Sequence, residues 1–89
     1  MKIKVIHKKL GREQAYGLAD SDGTIYIDPR LTGRKRLEIY IHELHHLLNP
    51  LHSEEETERQ SIVLTKLLWR MGYRMVDNTK HLPFQDGTK

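Results

Sequence analysis

Apolar and polar residues alternate in the first third of the chain, which is typical of β-strands. Residues 2–10 predict one strand and residues 15–19 a second. Residues 24–28 are rich in β-branched and aromatic side chains and precede Pro29, so they predict a third strand. Between the last two, Asp20-Ser21-Asp22-Gly23 has strong turn chemistry. We therefore expect a hairpin over residues 15–28 and a small antiparallel sheet of about three strands.

The pattern then changes to the period of a helix. Thr32 is a plausible N-cap for a helix over about residues 34–48, which Asn49-Pro50 ends because proline disfavours helix in the residue before it. The apolar residues of this helix gather on one face: Leu37, Tyr40, Ile41, Leu44, Leu47 and Leu48.

A second helix is predicted over about residues 54–71. Ser53 and Glu56 have the spacing of a capping box, and Gly72 is a good stop. Its predicted apolar stripe is Leu64, Leu67, Leu68 and Met71, extended by Ile62 and Trp69. Residues 76–89 show no periodicity, and they either dock through Leu82, Pro83 and Phe84 or form a loose tail. The whole pattern predicts one α+β domain over residues 1–89.

Composition narrows the classes of protein that this chain can represent. With 89 residues the core is small, and no cysteine is present to supply a disulfide or a thiolate metal site. No apolar run approaches the length of a membrane span, and nothing resembles a signal peptide, so we expect a cytoplasmic location. The net charge of +3 is dispersed. It supports nucleic-acid binding only weakly, since no stacking platform or known motif accompanies it.

The first helix contains the pattern H-E-x-x-H, formed by His42, Glu43 and His46. Two imidazoles one helical turn apart can bind a single zinc ion, and the glutamate lies where a general base would sit. These residues occupy an arc separate from the apolar face, which suits a helix below a cleft. The alternative is a histidine-rich surface helix, because His45 and His52 are also near. His45 points away from the metal arc and is expected at the surface or in support of the ligands.

Three residues compete for the position of third ligand. Glu54 and Glu58 lie one turn apart on the inner side of the second helix, flanked by Ser61, Thr65 and Leu68. A carboxylate there needs a partner, and a zinc ion would satisfy it while keeping an open coordination position. His52 completes H-E-x-x-H-x-x-N-x-x-H spacing, which resembles the metzincin motif with Asn49 at the usual glycine. Glu54 is preferred, and His52 and Glu58 remain alternatives.

The stretch from Gly23 to Arg74 resembles the minimal zincin-like proteins of bacteriophages and prophages, which are similar in plan to the gluzincins. The matching segments are residues 23–28, Tyr40-Ile41-His42-Glu43-Leu44-His45-His46, Ser53-Glu54-Glu55 and residues 67–74. Thr57 departs from the pattern, which has an apolar residue there. The resemblance implies a minimal zincin-like fold, His42, His46 and Glu54 as zinc ligands, and Glu43 as general base. It also implies a phage or prophage origin and an edge strand, here residues 24–28, that aligns a peptide.

Three hypotheses for function follow. The first is a zinc metallopeptidase acting on a peptide or protein substrate, in which a zinc-activated water attacks the peptide bond with Glu43 as general base. Tyr26, Tyr73 and Arg74 are its candidate oxyanion donors. The second is a non-catalytic zinc-stapled binding or regulatory module, and the third is a metal-free helical interaction domain. The sequence determines neither the substrate nor the oligomeric state.

Overall fold

The computed structural model describes residues 2–10 and 16–74. Three strands precede two helices: β1 (Lys4–His7), β2 (Gly17–Ala19), β3 (Thr24–Ile27), α1 (Gly33–Leu48) and α2 (Glu54–Arg70). The predicted α+β class is confirmed, and each predicted element is present. Residues 76–89, for which the sequence left docking and a loose tail open, lie outside the described residues.

The sheet has the order β1-β3-β2 and is mixed. β2 and β3 form the predicted antiparallel hairpin, with Leu18 opposite Tyr26. β1 instead runs parallel to β3, with Ile6 opposite Tyr26. The prediction of a wholly antiparallel sheet is wrong in this detail, because alternation identifies a strand without giving its direction.

The central position of β3 corrects a second expectation. Both edges of β3 are paired, so residues 24–28 cannot align a peptide by main-chain hydrogen bonds. The edge strands of the described sheet are β1 and β2. Thr24 N–H is held by Asp22 Oδ1 in the turn (3.0 Å), and Gly23 adopts φ 96°, where a Cβ would meet the Lys2 carbonyl oxygen at 2.5 Å.

The core lies between the sheet and α1. Ile25, Ile27 and Leu31 are buried, and Ile39, Tyr40, Leu44 and Leu47 of α1 pack against them while remaining partly exposed. Side chains alternate along a strand, so Ile25 and Ile27 face α1 and Tyr26 faces away from it. Asp28 directly follows β3, and its carboxylate accepts hydrogen bonds from the Arg30 side chain and backbone.

The two helices begin close to the predicted residues. Thr32 is the N-cap of α1, although its side chain makes no capping hydrogen bond. Ser53 Oγ accepts a hydrogen bond from the Glu56 N–H (3.0 Å), so Ser53 caps α2 as predicted. The Glu56 carboxylate does not complete the capping box, since it pairs with Arg59 and Gln60 on its own helix.

The predicted apolar stripe does not form the buried face of α2. The buried residues are Thr57, Ser61 and Thr65, whereas Leu64 and Leu67 are each 43% exposed. Small side chains at this spacing allow α2 to approach α1 closely, which longer leucines would prevent. These three small polar residues form a row along α2, and the row continues toward the start of the helix through Glu58 to Glu54. Within the described residues, no helix has the length and apolarity needed to cross a membrane.

Candidate metal centre

Three ligand atoms from two helices converge at one point. His42 and His46, one turn apart on α1, place their Nε2 atoms 3.1 Å from each other. Glu54, the first residue of α2, places Oε2 2.9 Å from Nε2 of His42 and Oε1 2.9 Å from Nε2 of His46. Side-chain exposure rises from 10% at His42 through 30% at His46 to 71% at Glu54, so the centre opens to solvent on the α2 side.

This triangle of donor atoms can hold a metal ion. A tetrahedral ion with bonds of about 2.0–2.2 Å separates its ligand atoms by roughly 3.3–3.6 Å. The closest separations are 2.9–3.1 Å, with a different Glu54 oxygen facing each histidine, and small rotations of the exposed Glu54 and His46 side chains are enough to widen them. The sequence prediction that His42, His46 and Glu54 come together is therefore met in the structure.

Glu58 has a different position from the one expected of a third ligand. Its Oε1 lies 3.1 Å from Nδ1 of His42, on the opposite side of the imidazole from the ligand triangle. A proton on Nδ1 donated to this carboxylate leaves Nε2 with its lone pair free for an ion. Carboxylates paired in this way with a ligand histidine fix its tautomer and orientation. Glu58 thus orients His42 and does not bind at the metal position.

His52 does not join the triangle either. Its Nδ1 lies 3.1 Å from Nε2 of His45, so the two imidazoles pair with each other. Asn49 has φ −135°, which is not the left-handed turn that the metzincin-like reading required. His45 does point away from the ligands, but it is buried, and that burial lowers its pKa. The expectation of a surface position for His45 is wrong, because the loop after α1 folds back and covers it.

Glu43 lies beside the ligands in a nearly closed environment. Its burial raises the pKa of the carboxyl, while the neighbouring His42 and His46 act to lower it. Gly17 of β2 lies directly against this side chain. A Cβ at Gly17 would come within 2.6 Å of Ile39 Cγ2 and 2.9 Å of Glu43 Cγ, so glycine is required for β2 to approach α1 here. The sequence predicted Glu43 beside the two histidines, where the structure has it, but it did not indicate Gly17, which carried no signal beyond its position in a strand.

The three candidate oxyanion donors are not brought to the centre. Tyr73 and Arg74 follow the C-terminal end of α2, about 25 Å along the helix axis from Glu54 at 1.5 Å per residue. The Arg74 guanidinium stacks on Trp69 and donates to the Trp69 and Tyr73 carbonyl oxygens. Tyr26 faces away from α1. The prediction of these three residues as oxyanion donors is wrong. The length of α2 separates Tyr73 and Arg74 from the candidate ligands, and strand alternation places Tyr26 on the other face of the sheet.

The site combines three donor groups that can hold a metal ion and are open to solvent, the Glu58 carboxylate that orients His42, and the buried Glu43 carboxyl beside them. Comparisons with protein families, with curated proteins and with solved structures find no match. The interpretation of the centre therefore depends on its own geometry.

Proposed function

We propose that this chain is a zinc-dependent hydrolase of peptide bonds, with His42, His46 and Glu54 as zinc ligands and Glu43 as general base. The observation that carries the proposal is the convergence of the three ligand atoms next to Glu43, with Glu58 holding the far nitrogen of His42. Kinship with the zincin-like proteins is part of the proposal and rests on the sequence motifs.

The donor set favours zinc among the common divalent metals. Two imidazoles and one carboxylate suit zinc better than magnesium or calcium, which prefer sets made wholly of oxygen. When bound, zinc supplies Lewis acidity that lowers the pKa of a coordinated water and polarises a carbonyl group.

Glu43 has the environment that a general base needs. Its task is to accept a proton from the attacking water and return it to the leaving amine. A base works best when its pKa lies near the working pH, and burial moves the pKa of Glu43 in that direction. The contact between Glu43 and Gly17 restricts where the carboxylate can turn.

The proposed substrate is an extended peptide, and β2 is the strand that can align it. β2 is paired on one side only within the described sheet, and its Gly17 lies against Glu43. The unpaired edge of a strand offers main-chain donors and acceptors to an added strand. This role replaces the one that the sequence assigned to residues 24–28.

A second candidate is a non-catalytic module stapled by zinc. The observation in its favour is that the ligands join α1 to α2, two helices whose buried contacts are otherwise polar. A metal that links two such helices contributes directly to the free energy of unfolding. Against it, His52 pairs with His45 and does not add a fourth protein ligand.

The substitution Glu43→Gln separates the two candidates. Zinc-loaded wild type and variant would be incubated with a mixed peptide library, and cleavage would be followed by mass spectrometry. We expect Glu43→Gln to retain zinc and to lose cleavage by about 10²–10⁴-fold, the usual contribution of a general base. Glu38→Gln, also on α1, is the matched control and should cleave normally. Undiminished cleavage by Glu43→Gln rejects the mechanism, and zinc-dependent folding without any cleavage by wild type supports the module.

A further inference from the structure

The strand β1 is an edge of the described sheet, and its main-chain groups divide between two sides. Lys4 and Lys8 donate their N–H groups to carbonyl oxygens on the β3 side, at 2.9 and 3.0 Å. Main-chain groups alternate in direction along a strand, so those of Val5 and His7 point away from β3. No other strand of the described sheet lies on that side of β1. Val5 and His7 therefore present hydrogen-bonding groups that an added strand can use.

An apolar groove lies against the same two residues. It has a volume of about 520 Å³ between β1, the start of α1 and the end of α2. Its apolar and aromatic lining consists of Val5, His7, Leu37, Tyr40, Trp69 and Tyr73. Val5 is 42% exposed and Tyr73 is 59% exposed. A concave apolar surface of this size, left half exposed, is typical of a binding site.

The two faces of β1 differ in character. Side chains alternate along a strand, so Val5 and His7 turn toward the groove while Lys4 and Lys8 turn to the opposite face of the sheet. Lys8 lies there with its Nζ 5.6 Å from the centre of the Tyr26 ring. Residues 2–10 contain four lysines and no acidic residue. None of these lysines forms an ion pair with a carboxylate of residues 2–10 or 16–74. The strand thus has a basic face and an apolar one.

We propose that β1 and the groove bind an extended acidic segment of a partner protein, added to the sheet as a strand beside β1. The main chain of this segment pairs with Val5 and His7. Its side chains alternate as those of β1 do, so acidic residues on one face lie opposite Lys4 and Lys8, and apolar residues on the other face enter the groove. The expected occupant is therefore a segment in which acidic and apolar residues alternate.

Charge decides between this occupant and a second copy of the chain. Two copies of β1 paired along this edge bring lysines opposite lysines, and like charges across neighbouring strands are destabilising. An acidic strand meets opposite charges on the same face. Arg36 and Arg74 add positive charge to the groove, whose described lining contains no acidic residue. Lysines on an edge strand also prevent pairing between identical chains, and that repulsion does not act on an acidic strand.

The probe is a synthetic heptapeptide in which glutamate alternates with valine and phenylalanine. Trp69 reports its binding, because it is the only tryptophan and it lines the groove. Titration into the full-length protein should shift Trp69 emission to the blue and lower its quenching by acrylamide. A matched heptapeptide with lysine at every glutamate position should bind at least roughly tenfold more weakly, because it places like charges opposite Lys4 and Lys8. Equal binding of the two peptides, or no binding of the acidic one, overturns the proposal.

Charge reversal on the protein separates this site from a general attraction to a basic chain. Lys4→Glu should weaken binding of the acidic peptide at least roughly tenfold and strengthen binding of the lysine peptide. Lys66→Glu, at an exposed position of α2 outside the groove lining, makes the same change in net charge and should bind as wild type does. Equal losses in the two variants mean that only overall charge matters, which overturns the proposal.

Amide hydrogen exchange, followed by NMR, locates the added strand. At saturation with the acidic peptide, the N–H groups of Val5 and His7 should exchange at least roughly tenfold more slowly, because they become hydrogen-bonded. Those of Lys4 and Lys8, already bonded on the β3 side, should change little.

Three results of this exchange experiment overturn the proposal. Protection of Val5 and His7 without peptide means that another part of the chain covers the edge, and protection that rises with protein concentration means that a second copy does. A change in Trp69 emission without added protection means that the peptide does not pair with β1. No candidate metal ligand lines the groove, so none of these results depends on the proposed hydrolase activity.

Discussion

His42 is held through both nitrogens of its ring. Its Nε2 faces Glu54 and His46, while its Nδ1 faces Glu58 at 3.1 Å. The two carboxylates come from successive turns of α2, so in the proposed centre one helix supplies both a ligand and the group that orients another ligand. The affinity of the centre for metal should therefore depend on Glu58 without direct coordination by it.

Replacing Glu58 with glutamine should weaken zinc binding by about 10–100-fold, because the amide no longer favours a proton on Nδ1. Competition with a fluorescent chelator measures the change. Glu55→Gln, an exposed residue in the first turn of the same helix, is the control and should bind zinc as wild type does. Equal affinities for the two variants would contradict the orienting role.

Asp28 makes a second prediction at the scale of one residue. Hydrogen bonds from the Arg30 side chain, then from the Arg30 and Leu10 backbone, hold the pKa of this buried carboxyl well below its usual range. A carboxyl with a lowered pKa in the folded state contributes stability that is fully present above the unfolded pKa of about 3.9 and is lost as the pH falls below it.

The melting temperature of wild type should exceed that of Asp28→Asn near neutral pH, and the difference should shrink as the pH is lowered through about 4. Thermal melts in a chelator from pH 7 down to the limit of folding measure this. The chelator removes any contribution of metal to the pH dependence. A difference that is the same at all pH values would show that Asp28 acts only through packing.

At the scale of elements, the contact between α1 and α2 includes three buried hydroxyl groups beside the paired histidines and carboxylates. The hydroxyls of Thr57, Ser61 and Thr65 are buried without a hydrogen bond within the described part of the chain. These residues continue the row that carries Glu54 and Glu58. The row directs one polar face of α2 toward α1, and its small side chains let the helices come close enough for Glu54 to reach His42 and His46.

Thr65→Val should stabilise the fold by about 1 kcal/mol, because it removes an unpaired buried hydroxyl and keeps the shape of the side chain. Thr65→Ser keeps the hydroxyl and deletes the methyl group, so it should have the opposite effect. Urea denaturation of the metal-free proteins gives both values. Destabilisation by Thr65→Val would indicate that the hydroxyl has a partner that the static geometry does not reveal.

The contact between α1 and α2 also shows that the pattern of apolar residues was not enough to predict which face of α2 is buried. The spacing of Leu64, Leu67, Leu68 and Met71 predicts that α2 buries a leucine stripe, and the structure leaves Leu64, Leu67 and Met71 exposed. By hydropathy alone, the leucines are better candidates for burial than Thr57 and Ser61. The approach of two helices, however, depends on side-chain size and on which side chains the facing helix presents. Here α1 presents the imidazoles of His42 and His46. The carboxylates of α2 pair with them, so the polar face of α2 lies toward α1.

At the scale of the whole molecule, the candidate metal centre lies at one end of the helical hairpin, where α1 ends and α2 begins. His42, Glu43 and His46 were predictable because residues three and four apart share a face of a helix. Glu54 was preferred among three candidate ligands, because a carboxylate on the inner side of the second helix needs a partner. The direction of β1, the central place of β3 and the pairing of His45 with His52 were not predictable, because each depends on contacts between distant parts of the chain.

Metal content is the measurement that tests the central claim most directly. The purified protein, reconstituted with zinc and freed of excess by gel filtration, would be analysed by mass spectrometry beside Glu54→Ala and His52→Ala. The proposed function predicts one zinc per chain in wild type and in His52→Ala, and a loss in Glu54→Ala. Wild type without zinc, or a loss in His52→Ala with retention in Glu54→Ala, would contradict the assignment of His42, His46 and Glu54 as the ligand set.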